Sequence, residues 1–247
     1  MVRIHGHRGC RSLLPENSIE GVKAAFAYGA FAVEIDVRLT KDLDFAVVHD
    51  EKLQSSYYQI GHPIEVAKTG INELKNISFG QAPLLLFPDQ KKVVTHIPSL
   101  SDLIAKFNGA QHRFNLEVKV NEDTENLTAE AFSMWIEREE YQPFRVQSFN
   151  LEFLERLDES NPEIEKHWLI DKKEDLNQIW PEWLSGLAVE ASLITNEWIA
   201  KINTAKLELS AWTVNSIVEA ELLIAKGIQE IITDNPKMLI ETFKKID

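Results

Sequence analysis

From residue 113 onward, two hydrophobic periods take turns along the chain. Runs at 113–120, 144–149, 166–170, 186–191, 207–214 and 228–233 read as strands, and the stretches between them carry apolar residues at helical spacing. Cap signals divide the two. Asp123 or Thr124 opens a helix to about Glu140, Asn150 one to about Glu159, and Asp171 one that Pro181 limits. Thr195 opens the next, Asn215 one that ends at Gly227, and Asn235 followed by Pro236 a terminal helix. Earlier, residues 2–7 form a short strand with Arg3, His5 and His7 on one face and Val2 and Ile4 on the other. After a loop, Asn17 caps a helix over 18–28, with Glu20 as its capping-box partner and Gly29 at its end. Pro98 and Ser99 start another, to about Phe107.

Between the first two helices lie two further apolar runs, Val33, Ile35 and Val37, then residues 45–48. The connection between them, 40–44, is too short for a parallel crossover, which takes about a dozen residues, so the two form a hairpin. Folded about Lys41 and Asp42, it brings His49 level with Glu34. Residues 51–97 hold Gly61, Pro63, Gly70, Gly80, Pro83 and Pro88 with one helical piece near 71–74. They read as an ordered insertion over one end of the fold, with the apolar residues 84–87 packed inside it.

Strands alternating with helices predict a parallel α/β sheet. There are nine strand candidates where a closed barrel needs eight, and the hairpin supplies the surplus. The alternative is an open doubly wound sheet, but no glycine-rich dinucleotide fingerprint follows any strand.

Composition narrows the partners. The 247 residues carry a net charge of −13, which disfavours nucleic acid, so an anionic substrate must be drawn by local cations or a bound ion. A hydrophobic content of 44% is enough for one sizeable core, and residues 1–247 are expected to form a single domain with 51–97 inserted in it. The lone cysteine, Cys10, excludes an internal disulfide and belongs to no nucleophile motif. No run of about eighteen apolar residues is present, so no membrane span is expected. The N-terminus enters a strand without the apolar stretch of a signal peptide, which predicts a cytoplasmic location.

The chemistry lies in three strands. His5 and His7 share a face of the first. Glu34, Asp36 and Arg38 share one of the second, and Asn115, Glu117 and Lys119 share one of the strand at 113–120. Aliphatic residues fill the opposite faces and suit packing under helices, so the charged faces point into the barrel. Unpaired charges there would cost several kcal/mol each, and a divalent cation compensates them. Glu34, Asp36 and Glu117 are hard oxygen ligands suited to Mg²⁺ or Ca²⁺ rather than zinc. Arg8 and Lys119 match phosphate oxygens, and His7 and His49 provide an acid and a base. Together they describe cleavage of a phosphodiester. His5 lies one layer deeper and is read as a packed, hydrogen-bonded core residue. His62, His96, His112 and His167 are read as surface or hydrogen-bonded residues of loops and element edges. Trp212 stands near the end of a strand that opens on the site.

These residues fall into an ordered set of motifs: H-R-G at 7–9, P-E-N-S at 15–18, E-I-D at 34–36, T-K-D at 40–42 and H-D at 49–50. I-P-S-L follows at 97–100, N-L-E-V-K at 115–119, Q-S-F-N at 147–150, A-W-T-V-N at 211–215 and I-T-D-N-P at 232–236. In order and span the set resembles the glycerophosphodiester phosphodiesterase family. The resemblance implies a TIM-type (β/α)8 barrel with an insertion after the third strand. It also implies metal-dependent hydrolysis of glycerophosphodiesters to sn-glycerol 3-phosphate and an alcohol. By the same resemblance His7 accepts and His49 donates the proton, Glu34, Asp36 and Glu117 bind the metal, and Arg8 and Lys119 contact the phosphate. Glu16, Gln147 and Trp212 shape the substrate site. Members often carry an Arg-Thr pair after the leucine that follows H-D; here Gln54, Ser55 and Ser56 follow Leu53, on the side of the leaving group. Two other readings fit the same residues: a lysophospholipase D-type enzyme, and a non-catalytic barrel that binds a phosphodiester. Oligomeric state is left open.

Overall fold

A barrel closes where its first strand pairs on both edges, and that pairing is present in this computed structural model, which describes residues 2–107, 109, 111–139 and 144–244. The chain begins with β1 (Arg3–His7), α1 (Ile19–Tyr28), β2 (Ala32–Leu39) and β3 (Phe45–Val47). The segment 51–97 contributes β4 (Lys52–Leu53), β5 (Ile64–Glu65), α2 (Ile71–Leu74), β6 (Ser78–Phe79) and β7 (Thr95–His96). Then come α3 (Leu100–Lys106), β8 (Phe114–Lys119), α4 (Glu125–Arg138), β9 (Phe144–Ser148) and α5 (Leu151–Ser160). The last part holds β10 (Glu165–Ile170), α6 (Lys173–Leu176), β11 (Gly186–Glu190), α7 (Asn196–Thr204), β12 (Glu208–Trp212), α8 (Ile217–Ala225), β13 (Glu230–Thr233) and α9 (Pro236–Phe243).

The sheet order is β1-β13-β12-β11-β10-β9-β8-β2-β3, with β1 also paired to β2. Eight of these strands run parallel and close the TIM-type barrel that the motifs imply, while β3 adds antiparallel to the outside of β2 as the surplus strand. Alternation explains the core. Val33, Ile35 and Val37 of β2 and Leu116 and Val118 of β8 are buried with Val22, Phe132 and Leu103 of the helices. The segment 51–97 has its own apolar cluster, in which Leu53, Tyr58, Leu74 and Phe79 pack on Ala46 and Val48.

Several local readings change in three dimensions. Asn17 does not cap α1: its φ is +54°, and its amide is spent on Asp36, so Ser18 caps by accepting from Gly21 N at 2.9 Å. Glu20 accepts from Thr95 Oγ1 instead of closing a capping box. Asn215 likewise holds Asp234, and Ser216 caps α8. Asp171 is not the cap of α6, whose N-cap is Lys172. That helix stops at Leu176 because Leu176 is its one buried apolar residue and Ile179 is exposed. The hairpin pairs Val37 with Val47, one residue off the register that would set His49 level with Glu34. Residues 84–87 are not packed inside: Leu85 is fully and Leu86 three-quarters exposed, since Gln90, buried against Arg11 and Leu14, anchors the loop in their place. Glu140, the expected end of α4, lies outside the described residues. His167 is no edge residue but wholly buried, its ring against Gly186, where a Cβ would stand 2.5 Å from it.

The N-terminal end of the barrel is closed by ions. Arg145 donates to Glu230 at 2.7 Å and Glu208 at 3.0 Å, and Arg3 meets Glu230 at 2.7 Å. Glu230 is fully buried, so removing a partner leaves a charge without water. Arg145→Met is expected to cost about 3 kcal/mol, or roughly 6–12 °C in Tm for a chain of this size. The double variant Arg145→Met/Glu230→Met is expected to recover most of that loss in a thermal melt.

Candidate active site

The opposite end of the barrel is built from the C-terminal ends of the strands. His7 ends β1, and Arg8 and Gly9 follow with φ of +52° and +90°. A side chain at Gly9 would meet the Gly21 and Val22 backbone at 2.7–2.8 Å, so only glycine allows the turn to close against α1. The turn aims the Arg8 N–H at Glu34 Oε2, 2.9 Å away, and its guanidinium at Asp36 Oδ2, at 3.0 Å, and Glu16, at 3.1 Å. β2 carries Glu34 and Asp36 on one face, and the parallel register sets Asp36 beside Glu117 of β8. Ligand atoms of Glu34, Asp36 and Glu117 all lie within 4.8 Å of one another. Lys119 bonds Glu117 and stands 3.1 Å from Asp36.

A cavity of about 220 Å³ opens over this cluster. His7, Arg8, Glu34, His49, Glu117, Lys119, Gln147 and Trp212 line it, and Asp36 lies fully buried beneath. Nine of the ten residues that the sequence nominates are thus brought together at the cavity. Glu16 stands behind Arg8 rather than on the cavity wall. His49 comes from just past β3, its carbonyl accepting from Arg38 Nε at 2.7 Å and its Nδ1 3.0 Å from Asp50. Phe149 crosses Trp212 edge to face at 5.6 Å and 84°, giving the cavity an aromatic wall. Trp212 is fixed by its Nε1–H, which donates to Ala188 O at 2.8 Å.

Electrostatics follow from burial. Burial, then the Asp36 and Glu117 charges, push the Glu34 carboxyl well above the usual carboxylate range. Glu117 is raised by burial and by Asp36. Burial works the same way on Asp36, but Arg8 and Lys119 outweigh it and hold Asp36 ionised. His7 is lowered mainly by burial, against the bond to Asp234 that favours its charged form. The Asp234 carboxyl, although burial would raise it, is held down to about 2 by His7 and Arg11.

The carboxylate cluster fits a divalent ion. Glu34 Oε1 is buried and has no hydrogen-bond partner, and all three groups offer hard oxygen donors.

Sequence reasoning missed Asn17, which anchors Asp36, and Asp234, which bonds His7. It also missed Phe149 in the wall. Asp234 directly follows β13 and Asn215 lies just past β12, on the side of the barrel where loops build a site; that position was the available signal.

The model of the glycerophosphoryl diester phosphodiesterase family matches residues 7–238. The chain belongs to this family. A glycerophosphodiester phosphodiesterase of Caldanaerobacter subterraneus subsp. tengcongensis is 27% identical, the match covering 97% of this chain and 96% of that protein. Among solved structures, a putative glycerophosphoryl diester phosphodiesterase from Silicibacter pomeroyi superposes with a TM-score of 0.87 at 24% identity, covering 98% of this chain and 94% of that one. An Oleispira antarctica phosphodiesterase, solved in complex with the product sn-glycerol-3-phosphate, gives 0.81 at 24% identity, covering 98% and 96%. At that identity the two structures speak to the fold. Among the described residues no helix is long and apolar enough to cross a membrane.

Proposed function

We propose that this protein hydrolyses glycerophosphodiesters to sn-glycerol 3-phosphate and an alcohol, using His7 and His49 as acid–base pair and a divalent ion, Mg²⁺ or Ca²⁺. The observation that carries the reading is one cavity holding three clustered carboxylates, two cations and two histidines. Family membership and the product bound by the Oleispira relative support it. Glu34, Asp36 and Glu117 would hold the ion. When bound, the ion supplies a Lewis acid that polarises a phosphoryl oxygen. Arg8 and Lys119 balance the charge of the carboxylates and add donors for the phosphate. His7 takes the proton of the attacking oxygen, and His49 gives one to the leaving oxygen. Gln147 faces the cavity with both amide atoms buried and unpaired, a donor and an acceptor for a substrate hydroxyl. The Phe149–Trp212 wall covers the carbon side of the glycerol.

Purified protein with Mg²⁺ or Ca²⁺ is expected to release sn-glycerol 3-phosphate from glycerophosphocholine or glycerophosphoethanolamine, read by a coupled assay. Chelation is expected to abolish release and added ion to restore it. No product above the chelated control, across several head groups and ions, would refute the reading, and ion-dependent binding without turnover would favour a phosphodiester-binding barrel. One observation supports a lipid substrate instead: Leu85 and Leu86 stand exposed on a loop whose Phe87 ring covers Arg11 beside the site. Turnover of lysophosphatidylcholine but not of glycerophosphocholine would decide for that reading.

A further inference from the structure

His7 is held from behind. Its Nδ1 lies 2.7 Å from Asp234 Oδ1, while its Nε2 lies 3.9 Å from Glu34 Oε2, on the side of the carboxylate cluster. Asp234 is buried just past β13, and both its backbone and its carboxylate are held. Asn215 Nδ2 donates to Oδ2 at 2.6 Å, and Asn215 Oδ1 accepts from the Asp234 N–H at 2.9 Å and from Thr233 Oγ1 at 3.1 Å. One amide therefore grips both the backbone and the side chain of Asp234. Ser12 N–H donates to the Asp234 carbonyl at 2.9 Å, and Arg11 approaches Oδ1 at 3.5 Å while donating to Glu16 at 2.5 Å.

We propose that Asp234, clamped by Asn215, is the positioning residue of His7. It fixes the ring's rotation and its Nδ1–H tautomer, so that the Nε2 lone pair faces the cavity. The inference rests on the reading of His7 as the proton acceptor. An ionised carboxylate only accepts hydrogen bonds, so the facing nitrogen carries the hydrogen and the other is left as a base. A carboxylate of fixed orientation thereby decides which nitrogen reacts. Arg11 extends the arrangement to Glu16 and so to Arg8, which ties the acceptor and the phosphate-side cation to one rigid frame.

Asp234→Asn tests the idea by chemistry rather than by size. One oxygen becomes an NH₂ group, and a donor then faces either the Asn215 amide or His7. Facing His7, it drives the ring to the Nε2–H tautomer, which offers no base to the cavity. The expected result is a fall in kcat of about 10²–10⁴-fold with KM changed less than about threefold. In ¹⁵N-histidine-labelled, metal-free protein, the His7 signals are expected to move from the Nδ1–H to the Nε2–H pattern. Asp234→Glu keeps the carboxylate and is expected to retain more kcat than Asp234→Asn. A kcat within about threefold of the parent in Asp234→Asn would overturn the proposal. So would a loss of kcat with an unchanged His7 tautomer and no advantage for Asp234→Glu, the mark of a merely structural role. His7→Gln separates the two levels: if it keeps full activity, the reading of His7 as acceptor fails, whatever Asp234→Asn does.

Discussion

Glu34→Gln is expected to lower kcat/KM at least about 10³-fold, since an ion that polarises the phosphoryl oxygen contributes several kcal/mol to the barrier. The same change is expected to move stability in two opposite directions. Glu34 shares a buried site with Asp36 and Glu117, and its carboxyl is raised well above its usual range. The folded protein therefore holds a proton that the unfolded chain has lost. This contribution to stability is full below the ordinary carboxylate value and is lost as pH rises through the raised one. Above the ordinary carboxylate value the metal-free protein thus bears the cost of keeping this carboxyl protonated or, once it ionises, of its repulsion by Asp36 and Glu117; glutamine removes that cost, and at neutral pH metal-free Glu34→Gln is expected to melt higher than the metal-free parent. A saturating divalent ion offsets the repulsion only in the parent. At about 100 times Kd it adds about 2.7 kcal/mol, which is roughly 5–10 °C in Tm for this size of chain. That ion-induced shift is expected to shrink as pH falls and the carboxylates take up protons, and to be nearly absent in Glu34→Gln. Thermal melts with and without ion, over a pH series, measure both signs. Equal ion-induced shifts in parent and variant would remove Glu34 from the ligand set.

His49→Ala is expected to lower kcat/KM on glycerophosphocholine by about 10²–10⁴-fold, the usual contribution of a positioned general acid. His49 lines the cavity with its Nδ1 3.0 Å from Asp50, so Nε2 is the proposed donor. A p-nitrophenyl phosphodiester leaves without protonation, so on that substrate the loss is expected to stay below about tenfold. Divalent-ion affinity, measured by calorimetry, is expected to be unchanged, because the clustered carboxylates lie on β2 and β8 and not on the segment past β3 that carries His49. Equal losses on both substrates, or a loss of ion binding, would end the assignment of His49 as the proton donor.

Much of the site was legible because its parts are short-range. Glu34 with Asp36 and Glu117 with Lys119 are each two apart on a strand, and a period of two puts such pairs on one face whatever the strand packs against. The strand–helix alternation named the parallel α/β class for the same reason. The glycines and prolines of residues 51–97 mark loop-rich chain, but do not say which of its leucines would be buried. That depended on Gln90, which fills the anchoring place against Arg11 and Leu14.

Asn17 and Asn215 show where local reading stops. Each precedes a helix and looks like a cap, yet a serine follows each and can do that work, which frees the asparagine for a partner far along the chain. Asn17 reaches Asp36 and Asn215 reaches Asp234. The hairpin register needed the pairing itself, and the burial of His167 needed its neighbour Gly186 across the sheet.

The sequence by itself determined most of the elements, the faces they present and which charged side chains share a face, because periodicity and side-chain type act within a few positions. Closure of the barrel through β1–β2 and β1–β13, the gathering of the carboxylates over one cavity and the bond from His7 to Asp234 were decided only by the tertiary structure. His7 and Asp234 are 227 residues apart, and no local pattern carries the information that the last strand of a closed barrel returns to the side of the first.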